Sequence, residues 1–171
     1  MIKHASVIAL AGFLTAGSLF AAKTVTVSLK DSKGQDVGTA KIAEAAKGGV
    51  TILLTVKGLP AGEHAAHIHQ NAKCEAPAFT TAGGHFNPDM KKHGLDNPDG
   101  PHAGDMNNFM VGRKGKAKAL LVNTRVDLGD DAHSLFTNGG TALVIHAKAD
   151  DYKTDPTGNA GDRIACGTIT K

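Results

Sequence analysis

The sequence predicts an all-β domain, an antiparallel sandwich or barrel that carries two long loops. Three observations predict it. Short apolar or alternating runs rich in β-branched residues recur along the chain, Gly, Pro and Asn punctuate them, and no stretch reads as an amphipathic helix. In the first run, residues 23–30, Val25, Val27 and Leu29 alternate with polar residues, and 31–35 reads as a turn. Residues 37–45 form a weaker second run. The third, 49–57, is apolar and ends at Leu-Pro-Ala-Gly (59–62). Residues 63–70 continue as a strand bearing three histidines, and 116–123, 141–148 and 163–170 supply the remaining strands.

Two segments break this rhythm. Residues 71–110 and 149–162 are dense in Gly, Pro, Asn and Asp, and loops this long inside a compact domain are usually functional or disordered. The first of them also holds most of the side chains suited to chemistry. The chain has 171 residues, enough for one domain with a sizeable core, and it shows no internal repeat.

The N-terminus reads as an export signal over residues 1–21, followed by one domain over 22–171. Lys3 supplies the basic start, residues 5–20 are almost free of polar side chains, and Ala21 and Ala22 offer a small-residue cleavage site. Leu19 or Phe20 stands where a small residue is preferred, so the cut is placed after Ala21, give or take a residue; an uncleaved anchor is the competing reading. No cysteine near the site supports a lipid anchor. The whole chain has 19 Lys+Arg and 16 Asp+Glu, a net charge of +3. Cleavage removes only Lys3 from that balance and leaves +2, too little and too mixed along the chain to argue for nucleic-acid binding. Cys74 and Cys166 lie 92 positions apart and do not form a CxxC motif. In an exported chain an even count favours a disulfide over two buried thiols. Closing that loop would stabilise the fold by roughly 4–5 kcal/mol on the chain-entropy model.

Eight histidines remain after the export segment: His64, His67, His69, His85, His93, His102, His133 and His146. Imidazole is the commonest protein ligand for copper and zinc. His67 and His69 stand at i and i+2 on a strand, so both rings project from one face and can meet one ion. Alone, such a pair is a weak signal, and His146, ending the run Thr-Ala-Leu-Val-Ile-His, could be an ordinary strand-end residue. His85, His93, His102 and Asp105 lie in one loop, and three imidazoles with one carboxylate describe a closed, tetrahedral zinc site. Ordering a loop with so few apolar anchors costs conformational entropy that a bound ion would offset.

The combination is far more specific than its parts. The motifs His67-Ile68-His69, Gly84-His85-Phe86-Asn87-Pro88, Lys92-His93-Gly94 and His102-Ala103-Gly104-Asp105 occur in order. They are followed by the stretch from Val144 through His146 to Asp151 and the stretch from Gly158 through Arg163 to Gly167. In these motifs and both cysteines, residues 23–171 closely resemble the bacterial, secreted copper/zinc superoxide dismutases. The resemblance implies a Greek-key barrel of about eight strands, flattened into a sandwich. It implies one copper ion held by His67, His69, His85 and His146, and one zinc ion held by His85, His93, His102 and Asp105. His85 would bridge the two, and Asp150 would link a copper ligand to a zinc ligand. Arg163 would stand at the mouth of the copper channel, and Cys74–Cys166 would tie the metal loop to the last strand. His64 and His133 match no ligand position and read as solvated or hydrogen-bonded.

The implied activity is disproportionation of superoxide to dioxygen and hydrogen peroxide. Copper would alternate between two oxidation states, His85 would take up a proton, and Arg163 would hold the anion. The implied location is the periplasm or the exterior, with no nucleic-acid partner and no stable membrane insertion after cleavage. Monomer and homodimer both stay open. The chain departs from the family at Ala65-Ala66, where Gly-Phe is usual, which alters local packing or an interface but removes no ligand. Lys148 and Lys153 would attract an anion, and Asp150, Asp151, Asp155 and Asp162 oppose them. A non-enzymatic copper carrier should lack a copper ligand or the arginine, and a purely structural sandwich would not account for the full set.

Overall fold

The computed structural model describes residues 23–171; the expected export segment, 1–21, lies outside the described residues. Among the described residues no helix is long and apolar enough to cross a membrane. Within the described residues nine strands form: β1 (Thr24–Asp31), β2 (Asp36–Glu44), β3 (Val50–Val56), β4 (Gly62–His64), β5 (Ala66–His69), β6 (Phe109–Val111), β7 (Ala117–Asn123), β8 (Thr141–His146) and β9 (Arg163–Ile169). Seven make one antiparallel sheet in the order β5-β8-β9-β1-β2-β3-β7, and β4 pairs with β6.

Period-two alternation explains the walls. Val27 and Leu29 of β1, Ala40 and Ile42 of β2, and Ile52 and Leu54 of β3 turn inward and are fully buried, while their neighbours face out. They meet Ile68, Leu143, Ile145, Ala165 and Ile169 from the opposite wall in one core. β5 and β8 differ, because both of their faces are covered. Leu143 and Ile145 enter the core, while Ala142 and Val144 face outward and join Phe79, Ala82 and Cys166 in a small second cluster. That second cluster lies beneath the loop closed by the Cys74–Cys166 disulfide.

Two details depart from the sequence expectation. The histidine-bearing run is broken at Ala65, so that β4 joins β6 while β5 joins β8. Ala65 itself is held by Lys148 O and His146 N, 2.9 Å each, so the strand changes partners without orphaning its backbone. Second, β6 begins in the last two residues of the segment read as loop and ends one residue past it; three residues give no periodicity to read. The His at 133 anchors the β7–β8 connection to the long loop through a 2.9 Å contact with Asp89.

That contact has a pH signature. The Asp89 carboxylate raises the His133 pKa, so the pair contributes fully below the unfolded-state value near 6.5 and is lost as pH rises through the folded one. Both partners are substantially exposed, so the expected contribution is at most about 1 kcal/mol. His133→Gln should therefore narrow the stability difference between pH 5.5 and pH 8.5 in urea unfolding; an unchanged difference would remove the pair from the account.

Candidate metal centre

The pairing of β5 with β8 places His67 opposite Val144 and His69 opposite Ala142, so both rings stand on the outward face of the barrel wall. His146 ends β8 on that face, beside a register shift between Ile145 and His146. His85 arrives from the long loop through a bridge with His69. One nitrogen from each of His67, His69, His85 and His146 falls within 4.8 Å of the others, and all four residues are buried. A second cluster, His85, His93, His102 and Asp105, meets the same criterion, and so does His67, His93, Asp150. Every residue expected at the site is thus gathered, with His85 in both principal clusters.

Hydrogen bonds orient each ring. His69 Nδ1 donates to Gly83 O at 2.9 Å and His146 Nδ1 to Gly161 O at 3.2 Å, which leaves their Nε2 atoms facing each other 3.4 Å apart. His67 Nε2 donates to Asp150 Oδ2 at 2.7 Å, and His93 Nε2 to Asp150 Oδ1 at 3.0 Å. Asp150 therefore ties one member of each cluster together. Around Asp105 Oδ1, the Nδ1 atoms of His85, His93 and His102 converge at 2.9, 3.1 and 3.3 Å. Asp105 Oδ2 accepts from the His102 and Gly94 amides at 2.9 and 3.0 Å. Carboxylate and carbonyl partners that fix ring orientation in this way are typical of metal-ligating histidines.

Three ring nitrogens are buried without any hydrogen-bond partner: His67 Nδ1, His85 Nε2 and His93 Nδ1. Unpaired buried polar atoms are rare and costly. All three face into the clusters, and their other ring nitrogens are engaged or directed at Asp105, so the donor set fits metal ions. An imidazole cluster suits copper or zinc, and the three-histidine, one-aspartate cluster suits zinc.

The titration behaviour agrees. Burial holds His67, His69, His85 and His146 below the ordinary histidine range, His85 and His146 at about 4, so the lone pairs a metal needs are free at neutral pH. Burial also opposes ionisation of Asp105, but hydrogen bonds from His102, His85, His93 and the Gly94 amide hold its carboxyl far below the usual range. At His93 the burial penalty is outweighed by Asp105 and Asp150, and its pKa rises to about 9.

Several supporting residues carried no sequence signal. The carbonyls of the turn 102–105 are all engaged: Arg125 Nε donates to His102 O at 3.3 Å and its Nη2 to Asp105 O, Asn123 Nδ2 donates to Ala103 O at 2.8 Å, and the Ile68 amide donates to Gly104 O at 2.9 Å. Asn108 grips the Asp150 backbone, accepting from its amide at 2.9 Å and donating to its carbonyl at 2.9 Å. His64 lies between His146 O and Pro60 O, at 2.8 and 2.9 Å. Gly158 has φ +63°, and a Cβ there would fall 1.9 Å from Asp150 Oδ1, so no side chain fits beside that carboxylate. Arg163 is partly buried and spans two carbonyls, Nη1 to Phe79 O and Nη2 to Gly83 O, both at 2.7 Å. Its charge also helps to depress His69 and His146, which places it beside the all-histidine cluster.

A flattened β-barrel with two abutting clusters able to hold metal ions, sharing one imidazole, defines a class of binuclear metalloproteins. Comparison with known proteins gives the family. A family model described as copper/zinc superoxide dismutase matches residues 36–169, and the chain belongs to that family. It is 47% identical over 168 residues to "Superoxide dismutase [Cu-Zn] 2" of Aquifex aeolicus, covering 94% of this chain and 98% of that one. It is 39% identical over 146 residues to "Superoxide dismutase-like protein YojM" of Bacillus subtilis, covering 84% and 74%. Among solved structures, it matches a superoxide dismutase-like protein from Bacillus subtilis with TM-score 0.81 at 38% identity, covering 84% and 97%. The Cu/Zn superoxide dismutase of Brucella abortus matches with TM-score 0.71 at 28% identity, covering 86% and 99%.

Proposed function

We propose that this chain disproportionates superoxide, as its family does, at a copper ion held by His67, His69, His85 and His146 beside a zinc ion held by His85, His93, His102 and Asp105. The observation that carries the reading is the placement of His85. Its Nδ1 points at Asp105, while its Nε2 is buried, unpaired and directed at the other cluster. Copper bound there supplies the one-electron chemistry, because both of its common oxidation states suit imidazole ligands, whereas zinc is redox-inert.

The residues do the rest. Gly83 O and Gly161 O hold the rings of His69 and His146 in the tautomer that presents Nε2, and Asp150 does the same for His67 with Nδ1. Two superoxide anions and two protons yield one dioxygen and one hydrogen peroxide. His85 Nε2 is the atom at which this chain can hold one of those protons; burial depresses its pKa, so a proton placed there is readily given up. Arg163, fixed by two carbonyls, presents its charge to the incoming anion in a set geometry. We further propose that residues 1–21 direct export to the periplasm, where the disulfide is stable.

The deciding experiment measures superoxide disproportionation and bound copper and zinc together, before chelation, after it, and after copper is returned. Expected are one copper and one zinc per chain, and activity near the diffusion ceiling that disappears and returns with copper. Two bound metals without disproportionation would overturn the enzymatic reading in favour of a copper carrier.

A further inference from the structure

The net charge is small, but folding gathers the cations. Residues 106–126 contain no Asp or Glu, while Arg113, Lys114, Lys116 and Lys118 crowd the β6–β7 hairpin, all exposed. Lys57 is exposed just past the end of β3, where Val56 pairs with Ala117. Strand pairing extends this basic edge across the sheet. Lys118 stands opposite Thr55; Lys41 stands opposite Leu53, which in turn stands opposite Leu120; and Thr51 stands opposite Val122. Paired residues share a face, so these side chains form one outward surface of β2, β3 and β7 on which none is a carboxylate. Lys41, Lys57, Arg113, Lys114, Lys116 and Lys118 form no ion pair with any described residue.

Beside this basic edge, on the same face, lie three exposed aliphatic side chains, Leu53 (36%), Leu120 (64%) and Val122 (51%). The core does not need them, because the inward residues of the same strands, Ile52, Leu54 and Leu121, already fill it. Scattered exposed aliphatics are ordinary; three adjacent ones bordered by Lys41, Lys118 and the basic hairpin are a composite signal.

We propose that this face docks peripherally on a membrane bearing anionic phospholipid, with Leu53, Leu120 and Val122 at the headgroup–acyl boundary and the surrounding Lys and Arg against phosphates. Stable surface binding needs two signals, apolar burial and electrostatic attraction, and this face supplies both. A soluble polyanion would use the cations but gain nothing from the aliphatic trio. A second copy of the same face would bring like charges together. His67, His69 and His146 stand on the outward face of β5 and β8, the wall across the core from β2 and β3, so docking leaves that wall facing solution. The proposal is independent of the dismutase reading.

The test is co-sedimentation of the protein, in the form the cell produces, with phosphatidylglycerol/phosphatidylcholine vesicles and with phosphatidylcholine vesicles. Two variants accompany it, Leu120→Thr/Val122→Thr, which puts a strand-favouring β-branched side chain at both positions, and Lys114→Gln/Lys116→Gln at the exposed hairpin tip. All share one N-terminus, so differences between them report this face, and thermal melting verifies folding of each. Expected is binding to the anionic vesicles only, weakened about tenfold or more by either variant and by high salt; at roughly 1 kcal/mol per cation, the two lysines correspond to about a 30-fold loss. Absence of binding, equal binding to neutral vesicles, or insensitivity to the Thr variant would overturn the proposal. So would a concentration-dependent dimer that the Thr variant abolishes, which would make the face a contact between copies.

Discussion

Serine at both Cys74 and Cys166 should lower the melting temperature by about 10–15 °C. The bond closes a loop spanning 92 positions, for which the chain-entropy model gives roughly 4–5 kcal/mol, and a domain of this size shifts by about 2–4 °C per kcal/mol. The functional consequence should be larger than the stability loss suggests. Gly83 O, in the loop the bond ties down, accepts hydrogen bonds from both His69 Nδ1 and Arg163 Nη2. Loosening that loop removes the common reference for the His69 ring and for the Arg163 guanidinium, proposed above to hold copper and to face the anion. Calorimetry on the variant, with activity measured well below its transition, separates the two effects. A variant that melts lower but disproportionates superoxide at the parental rate would show that the β9 framework alone positions Arg163.

The second large effect is expected on metal removal. Without ions, His67 Nδ1 and His85 Nε2 are buried unpaired, and each such group costs roughly 1–3 kcal/mol. A ligand at a thousand times its dissociation constant adds about 4 kcal/mol per site, so zinc alone should raise the transition by about 10 °C. Asp105→Ala should abolish most of that gain while leaving the gain from copper, because Asp105 belongs to one cluster only. His85→Ala should diminish both, because His85 belongs to both. Equal loss of the zinc and copper gains in Asp105→Ala would contradict the division of ligands proposed above.

Much of this site was legible in the sequence because its ligands obey short-range rules. His67 and His69 alternate on a strand, His146 ends another, and Asp150 follows four residues later. The scaffolding around them was not, for two physical reasons. Backbone carbonyls do the orienting at Gly83 and Gly161, and a carbonyl is present at every position, so nothing in the sequence marks one as an acceptor. Arg125, Asn123 and Asn108 act across 20 to 42 positions of chain on partners that come near only after the barrel closes. The same holds for the basic surface. Its lysines are dispersed along the sequence between 41 and 118 and converge through the β2–β3–β7 register. β6 escaped because three residues are too few to show a period.

The two faces of β5 and β8 differ by one step of the chain. Ile68, Leu143 and Ile145 belong to the oily interior, whereas His67, His69 and His146 belong to the outward face that gathers the imidazole cluster. Inheritance of the chemistry therefore depends on parity. Point changes on one face can accumulate with little regard for the other, but a single inserted or deleted codon within either strand would exchange them, turning imidazoles into the core and isoleucine into the cleft. Length variation in descendants of this chain should therefore collect in the connecting loops, with these two short segments kept at a fixed count of residues.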